Sequence, residues 1–192
     1  MRAKTLFGAL SAAAVLVLAT TPASAKTCED VTMADTVTVA GKKLVLNGMG
    51  VREATFLNVN VYVAGIYVAK KTSNGSTIMD DDGPRRLVLH FVRDVDKADI
   101  VEAFGEGFSH SGKSGALMPK IQELLGMMRD AKDGVVWTFT YDPASGVEVK
   151  LGGSVKGTIE GADFFKAFLN IWLGPKPPNS GLKKGLLGGE CG

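Results

Sequence analysis

The sequence predicts an α+β fold in which helices lie on one face of a mainly antiparallel sheet. The prediction comes from the order in which two periodicities follow one another. β-Branched, alternating runs occupy the first half, two amphipathic helical runs follow, strands return, and helices close the chain. No internal repeat and no linker rich in Pro, Gly or Ser divides the chain, so residues 26–192 are expected to form one domain.

Thr36-Val37-Thr38-Val39, then Ala40-Gly41, then Lys42 to Leu46 reads as a hairpin. The apolar run from Phe56 to Val68 reads as a strand through the middle of the sheet, with Tyr62, Ala64, Ile66 and Val68 on one face. Thr72 to Pro84 is a polar loop with room for one helical turn, and Arg86 to Val92 returns to strand. Ile100, Ala103, Phe104 and Phe108 fall on one helical face, with Asp94, Asp96 and Asp99 near its N-terminal end, where anions are favoured. Leu117, Ile121, Leu124, Leu125 and Met128 repeat that spacing in a second helix. Strands follow over Val135–Tyr141, Val147–Leu151 and Ser154–Ile159, with turns at Pro143–Gly146 and Gly152-Gly153. Phe164, Phe165, Phe168, Ile171 and Trp172 mark a third helix that Gly174-Pro175 stops. Asn179 or Ser180 is suited to cap a last short helix that ends at Gly188-Gly189.

Residues 1–25 read as a secretory signal. Arg2 and Lys4 form a basic start, Leu6 to Ala19 is small or apolar, and Ala23-Ser24-Ala25 suits a signal peptidase. The apolar stretch is short for a membrane span, so stable membrane insertion after cleavage is not expected. The destination is the periplasm or the exterior. The precursor carries 22 basic and 20 acidic side chains, and losing Arg2 and Lys4 leaves the two signs equal. A neutral chain offers no electrostatic attraction for nucleic acid.

Cys28 and Cys191 stand near opposite ends, and an oxidising compartment favours a bridge between them. The rival reading is two free thiols. These cysteines, with the separated His90 and His110, make no metal-ligand cluster, so no metal and no cofactor is expected. His90 and the Arg93-Asp94 pair read as structural groups, Arg93 and Asp94 forming a link at a strand–helix junction.

Gly107 to Ser114 fits the nucleotide-binding pattern G-x-x-x-x-G-K-[ST]. That loop works by presenting backbone N–H groups between a buried strand and a helix. Here an amphipathic helix precedes it, and among 24 glycines a chance match is the simpler account. A helix–helix connection is expected instead.

Three segments carry a resemblance. The first runs Leu46-Asn47-Gly48-Met49-Gly50-Val51-Arg52 and continues, after a gap, as Val61-Tyr62-Val63-Ala64-Gly65-Ile66-Tyr67-Val68. The second is Leu87 to Val95. The third is Phe164 to Gly174, running into Pro177-Pro178-Asn179-Ser180-Gly181-Leu182-Lys183-Lys184. In this order the chain resembles the chalcone isomerase-like family. The resemblance implies that family's open-faced β-sandwich, a large sheet covered by helices.

Enzymes of that family add a phenolate to an enone within one molecule, using an arginine in a Gly-x-Gly-x-Arg segment to steady developing charge. Arg52 occupies that position. Where the enzymes carry a threonine, this chain has Tyr62; their tyrosine and asparagine fall near Met118 and Leu125, and a late hydroxyl falls near Ile171. Apolar groups thus replace most of the polar machinery. The pattern is similar to that of the non-catalytic, fatty-acid-carrying branch, in which the arginine and a tyrosine hold the ligand's carboxylate. A guanidinium forks onto a carboxylate and a phenol adds one more hydrogen bond.

The expected function is therefore binding of a small, apolar, fatty-acid-like carboxylate. Arg52 and Tyr62 would hold its head, and Met118, Leu125, Phe165, Phe168 and Ile171 would line a slot for its tail. One alternative is an intramolecular lyase with Arg52 as electrophilic catalyst. The other is a structural or interaction protein of the cell envelope, with Arg52 a surface residue at a strand end and the slot merely core.

Overall fold

The computed structural model describes residues 24–54, 59–110 and 114–191. The predicted signal lies outside the described residues up to residue 23, as do residues 56–58 of the predicted central strand and 111–113 of the Gly-Lys-Ser match. Nine strands and five helices are described: β1 (Ala25–Cys28), β2 (Val31–Ala34), β3 (Thr36–Val39), β4 (Lys42–Ala54), β5 (Val59–Val68), α1 (Gly75–Asp80), β6 (Arg85–Phe91), α2 (Lys97–Ser109), α3 (Ser114–Met127), β7 (Val136–Asp142), β8 (Gly146–Leu151), β9 (Ser154–Ile159), α4 (Ala162–Leu173) and α5 (Ser180–Leu186).

Strands β3 to β9 form one seven-stranded sheet in sequence order, every neighbour antiparallel. The alternation that predicts strands also explains the layers. Tyr62, Ala64, Ile66 and Val68 of β5 join Leu87, Leu89 and Phe91 of β6 in the core under the helices. Val63 and Tyr67, of opposite parity, face the other way. On that side lies the β1–β2 hairpin, which buries Cys28, Val31 and Met33 against Leu44, Leu46 and Met49. A lone two-stranded hairpin is marginal in water, and this one is tied down. The Tyr67 hydroxyl donates to the Ala34 carbonyl at 2.8 Å, Met33 packs over Gly65, and Cys28 forms a disulfide with Cys191 across a Cα separation of 5.7 Å.

β4 departs from simple alternation at Asn47, where its register against β5 shifts between Leu46 and Gly48. The extra residue is 5 % exposed. Its side-chain amide donates to the carbonyls of Thr72, at 3.0 Å, and Leu186, at 2.7 Å, and its oxygen accepts from the Thr72 N–H at 2.8 Å. One buried side chain thereby joins β4, the loop after β5 and the end of α5.

β3 covers only Lys42 to Val45 of β4, and α5 runs antiparallel along what remains. Leu182 lies against Gly50, Gly185 against Met49 and Gly50, and Gly188 close to Gly48. A β-carbon on Gly50 would sit 2.9 Å from Leu182 Cα, and one on Gly48 would sit 2.7 Å from the Gly188 nitrogen. Backbone approach this close admits glycine alone.

Several elements differ from the sequence expectation. The β1–β2 hairpin has no clear sequence signal, because its four-residue strands carry too few alternating positions to register. Its turn holds Glu29 at φ 48°, a conformation rarely signalled without glycine or asparagine. The helical turn expected in the loop after β5 is present as α1, capped by the Asn74 side chain on the N–H groups of Ser76 and Thr77. Ala103 faces solvent, leaving Ile100, Phe104 and Phe108 as the buried stripe of α2. Asp94 holds Lys132 at 2.7 Å and the Asp133 N–H at 2.9 Å, so the junction is tied to the β7 approach. Arg85, at the start of β6, is buried at 2 % exposure. It donates to the Ile78 and Met79 carbonyls at the end of α1 and lies against the stacked rings of Tyr141 and Phe165, 5.0 and 5.2 Å from their centroids. Desolvation lowers its pKa, and the aromatic faces offset part of that cost.

Candidate functional site

The shift at Asn47 brings Gly48, Gly50 and Arg52 to the helix side of β4. Arg52 then stands directly opposite Tyr62 of β5 in the antiparallel register, so the two side chains leave the sheet on the same face. Arg52 is half-buried. One of its terminal nitrogens donates to the Glu53 carbonyl, and among the described residues nothing takes its other N–H groups.

Tyr62 is 8 % exposed. Trp172 of α4 donates its indole N–H to the Tyr62 oxygen at 2.9 Å. An indole nitrogen only donates. The phenol oxygen is therefore the acceptor, and its own O–H remains available to a third group. Burial pushes the Tyr62 pKa up to about 12, against smaller opposing effects of the Trp172 bond and the Arg52 charge. Tyr62 thus stays a neutral donor beside a cation throughout the physiological range.

This shift has a measurable consequence. Between pH 10 and about 12 the unfolded chain releases the Tyr62 proton while the folded chain keeps it, so stability falls as pH rises. Tyr62→Phe leaves the buried Trp172 N–H without a partner, which costs about 1–3 kcal/mol at neutral pH. The gap between variant and wild type should then narrow by about 2–3 kcal/mol as the solution passes through that window. Urea unfolding at a series of alkaline pH values checks this; a gap that stays constant would show that Tyr62 does not retain its proton.

The remaining predicted residues lie at differing depths. Phe165 and Phe168 are fully buried, Ile171 is 3 % exposed, and Leu125 is partly buried against the same core. Phe168 meets Trp172 at 4.9 Å and Phe139 at 4.7 Å between ring centroids, so Trp172 links Tyr62 to the aromatic layer. Met118 is not part of this group; it is 42 % exposed on α3. Gly107, first residue of the Gly-Lys-Ser match, lies within α2, where a β-carbon would come 2.7 Å from Ile171. It serves helix packing.

Two residues at the site carry more than their sequence signal suggested. Trp172 reads as simple core, and only the fold reveals its bond to Tyr62. Asn179 reads as a helix cap, yet its side chain makes no capping bond and donates instead to the Val51 carbonyl at 3.0 Å. A surface cavity of about 340 Å³ lies apart from Arg52 and Tyr62, with Lys26, Asp35, Asn47, Lys71 and Ser73 on its walls. Among the described residues no cluster of His, Cys, Asp or Glu is placed to hold a metal ion, and no helix is long and apolar enough to cross a membrane.

Residues 25–188 match the sequence model of the chalcone isomerase-like family. The chain belongs to that family. The fold agrees: a crystal structure of a fatty-acid binding protein from Arabidopsis thaliana superposes with a TM-score of 0.70 at 16 % identity, covering 86 % of this chain and 96 % of that one. No curated protein matches the chain by sequence. Within the family's sheet, Arg52 and Tyr62 are the cation and the neutral donor that face each other across β4 and β5.

Proposed function

We propose that this chalcone isomerase-like protein is an exported, non-catalytic binder of a fatty-acid-like carboxylate. The observation that carries the reading is the Arg52–Tyr62 pair. Arg52 retains unspent N–H donors, and Tyr62, its oxygen already accepting from Trp172, has an O–H left to give. A carboxylate between them would receive charge-assisted bonds from the guanidinium and one bond from the phenol. The high pKa of Tyr62 suits a donor and opposes a role as general base. The Arabidopsis fold relative, a fatty-acid binding protein, supports the ligand class, and the Cys28–Cys191 disulfide supports an oxidising destination in the periplasm or outside the cell.

The tail would enter the apolar layer bounded by Leu125, Phe165, Phe168 and Ile171. That layer is closely packed, with Phe168 in contact with Phe104, Phe139, Phe164 and Trp172, so ligand entry requires side chains to move. The same packing favours a second reading, a structural protein of the cell envelope that carries no ligand.

Native mass spectrometry of the periplasmic protein, followed by organic extraction, separates the two. A co-purified fatty acid supports the carrier. A protein that is empty, and stays empty when incubated with fatty acid, sinks that reading and leaves the structural one.

A further inference from the structure

Asn179 has an unusual hydrogen-bond balance. Its amide nitrogen is committed to the Val51 carbonyl at 3.0 Å, which fixes the orientation of the amide, because the reversed orientation would set oxygen against oxygen. Its oxygen is then buried with no partner. Buried acceptors without a donor are uncommon and costly. The antiparallel march of α5 along β4, with Gly185 at Met49 and Leu182 at Gly50, brings Asn179 to Val51, one residue from Arg52. Asn179, with its one unfilled acceptor, is therefore hydrogen-bonded to the residue that precedes Arg52.

We infer that the ligand carries a hydrogen-bond donor close to its carboxylate, and that the Asn179 oxygen accepts from it. The inference rests on the carboxylate reading above and narrows it from fatty acids in general to hydroxylated ones. A 3-hydroxy acid carries such a donor close to its carboxylate, whereas an unsubstituted acid leaves the amide oxygen buried and unpaired. Arg52 then supplies affinity for the head, and Asn179 supplies discrimination between acids of equal length.

The test compares 3-hydroxytetradecanoic acid with tetradecanoic acid by isothermal titration, on the wild-type protein, Asn179→Leu and Arg52→Ala. Wild type should prefer the hydroxy acid by about three- to tenfold, the worth of one ordinary hydrogen bond. Asn179→Leu should remove that preference. Loss of the Val51 contact loosens α5 for both ligands alike, so the ratio of affinities reads the oxygen alone. Equal affinities in wild type, with binding still dependent on Arg52, would overturn the inference and leave the carboxylate reading intact. A preference that survives in Asn179→Leu overturns it as well. If neither acid binds wild type, both readings fall together.

Discussion

Arg52→Ala should fold and melt like wild type while losing affinity for fatty acid by roughly 30- to 1,000-fold, or about 2–4 kcal/mol. The two halves of this expectation have separate causes. Arg52 is half-buried and its side chain's one bond among the described residues is to the neighbouring Glu53 carbonyl, so little of the fold depends on it. The Tyr62–Trp172 bond and the aromatic layer beneath it stay in place without the guanidinium. A bound carboxylate, by contrast, would lose its counter-charge and rely on Tyr62 alone. Arg52→Lys should fall between the two, since an ammonium keeps the charge and gives up the planar fork. Fluorescent fatty-acid displacement, with a thermal melt on the same samples, gives both halves. Unchanged affinity in Arg52→Ala would remove the proposed anchor; a collapsed melting temperature would show that the arginine is structural.

The second large effect is on stability. Replacing both Cys28 and Cys191 with serine should cost about 5 kcal/mol in the chain-entropy account, because the bridge closes a loop of 163 residues. That is comparable to the whole stability of many single domains. The tie joins the β1–β2 hairpin, on one side of the sheet, to the segment that follows α5 on the other. Urea unfolding of the double variant measures the loss. A loss below about 1 kcal/mol would mean that Tyr67, Met33 and the glycine contacts of α5 hold both segments without the bridge.

Much of the fold was legible in residue order because a meander of neighbouring strands demands only local turns. Ala40-Gly41, at φ 49° and 72°, and Gly152-Gly153, at 57° and 84°, are such turns, and both were readable as sequence. Strand parity placed Tyr62 with Ala64, Ile66 and Val68 on one face, as found. Less legible were features made by distant segments. The opposition of Arg52 and Tyr62 depends on register, Trp172 reaches Tyr62 across 110 positions, and Asn179 reaches Val51 across 128. No local pattern encodes those meetings. Met118 shows the converse: the family resemblance sets it beside the slot, but the rotation of α3 leaves it at the surface.

Asn47 makes the position of Arg52 a matter of counting. Leu44 and Leu46 face the hairpin layer, and strict pleating would send residues 48, 50 and 52 to that same side. The one unpaired residue reverses the phase. Deleting it would turn the arginine toward the hairpin, set glycines where that layer needs apolar side chains, and push Met49 and Val51 against α5. Chains of this kind should therefore tolerate exchanges of apolar residues along β4 far better than any change in its length.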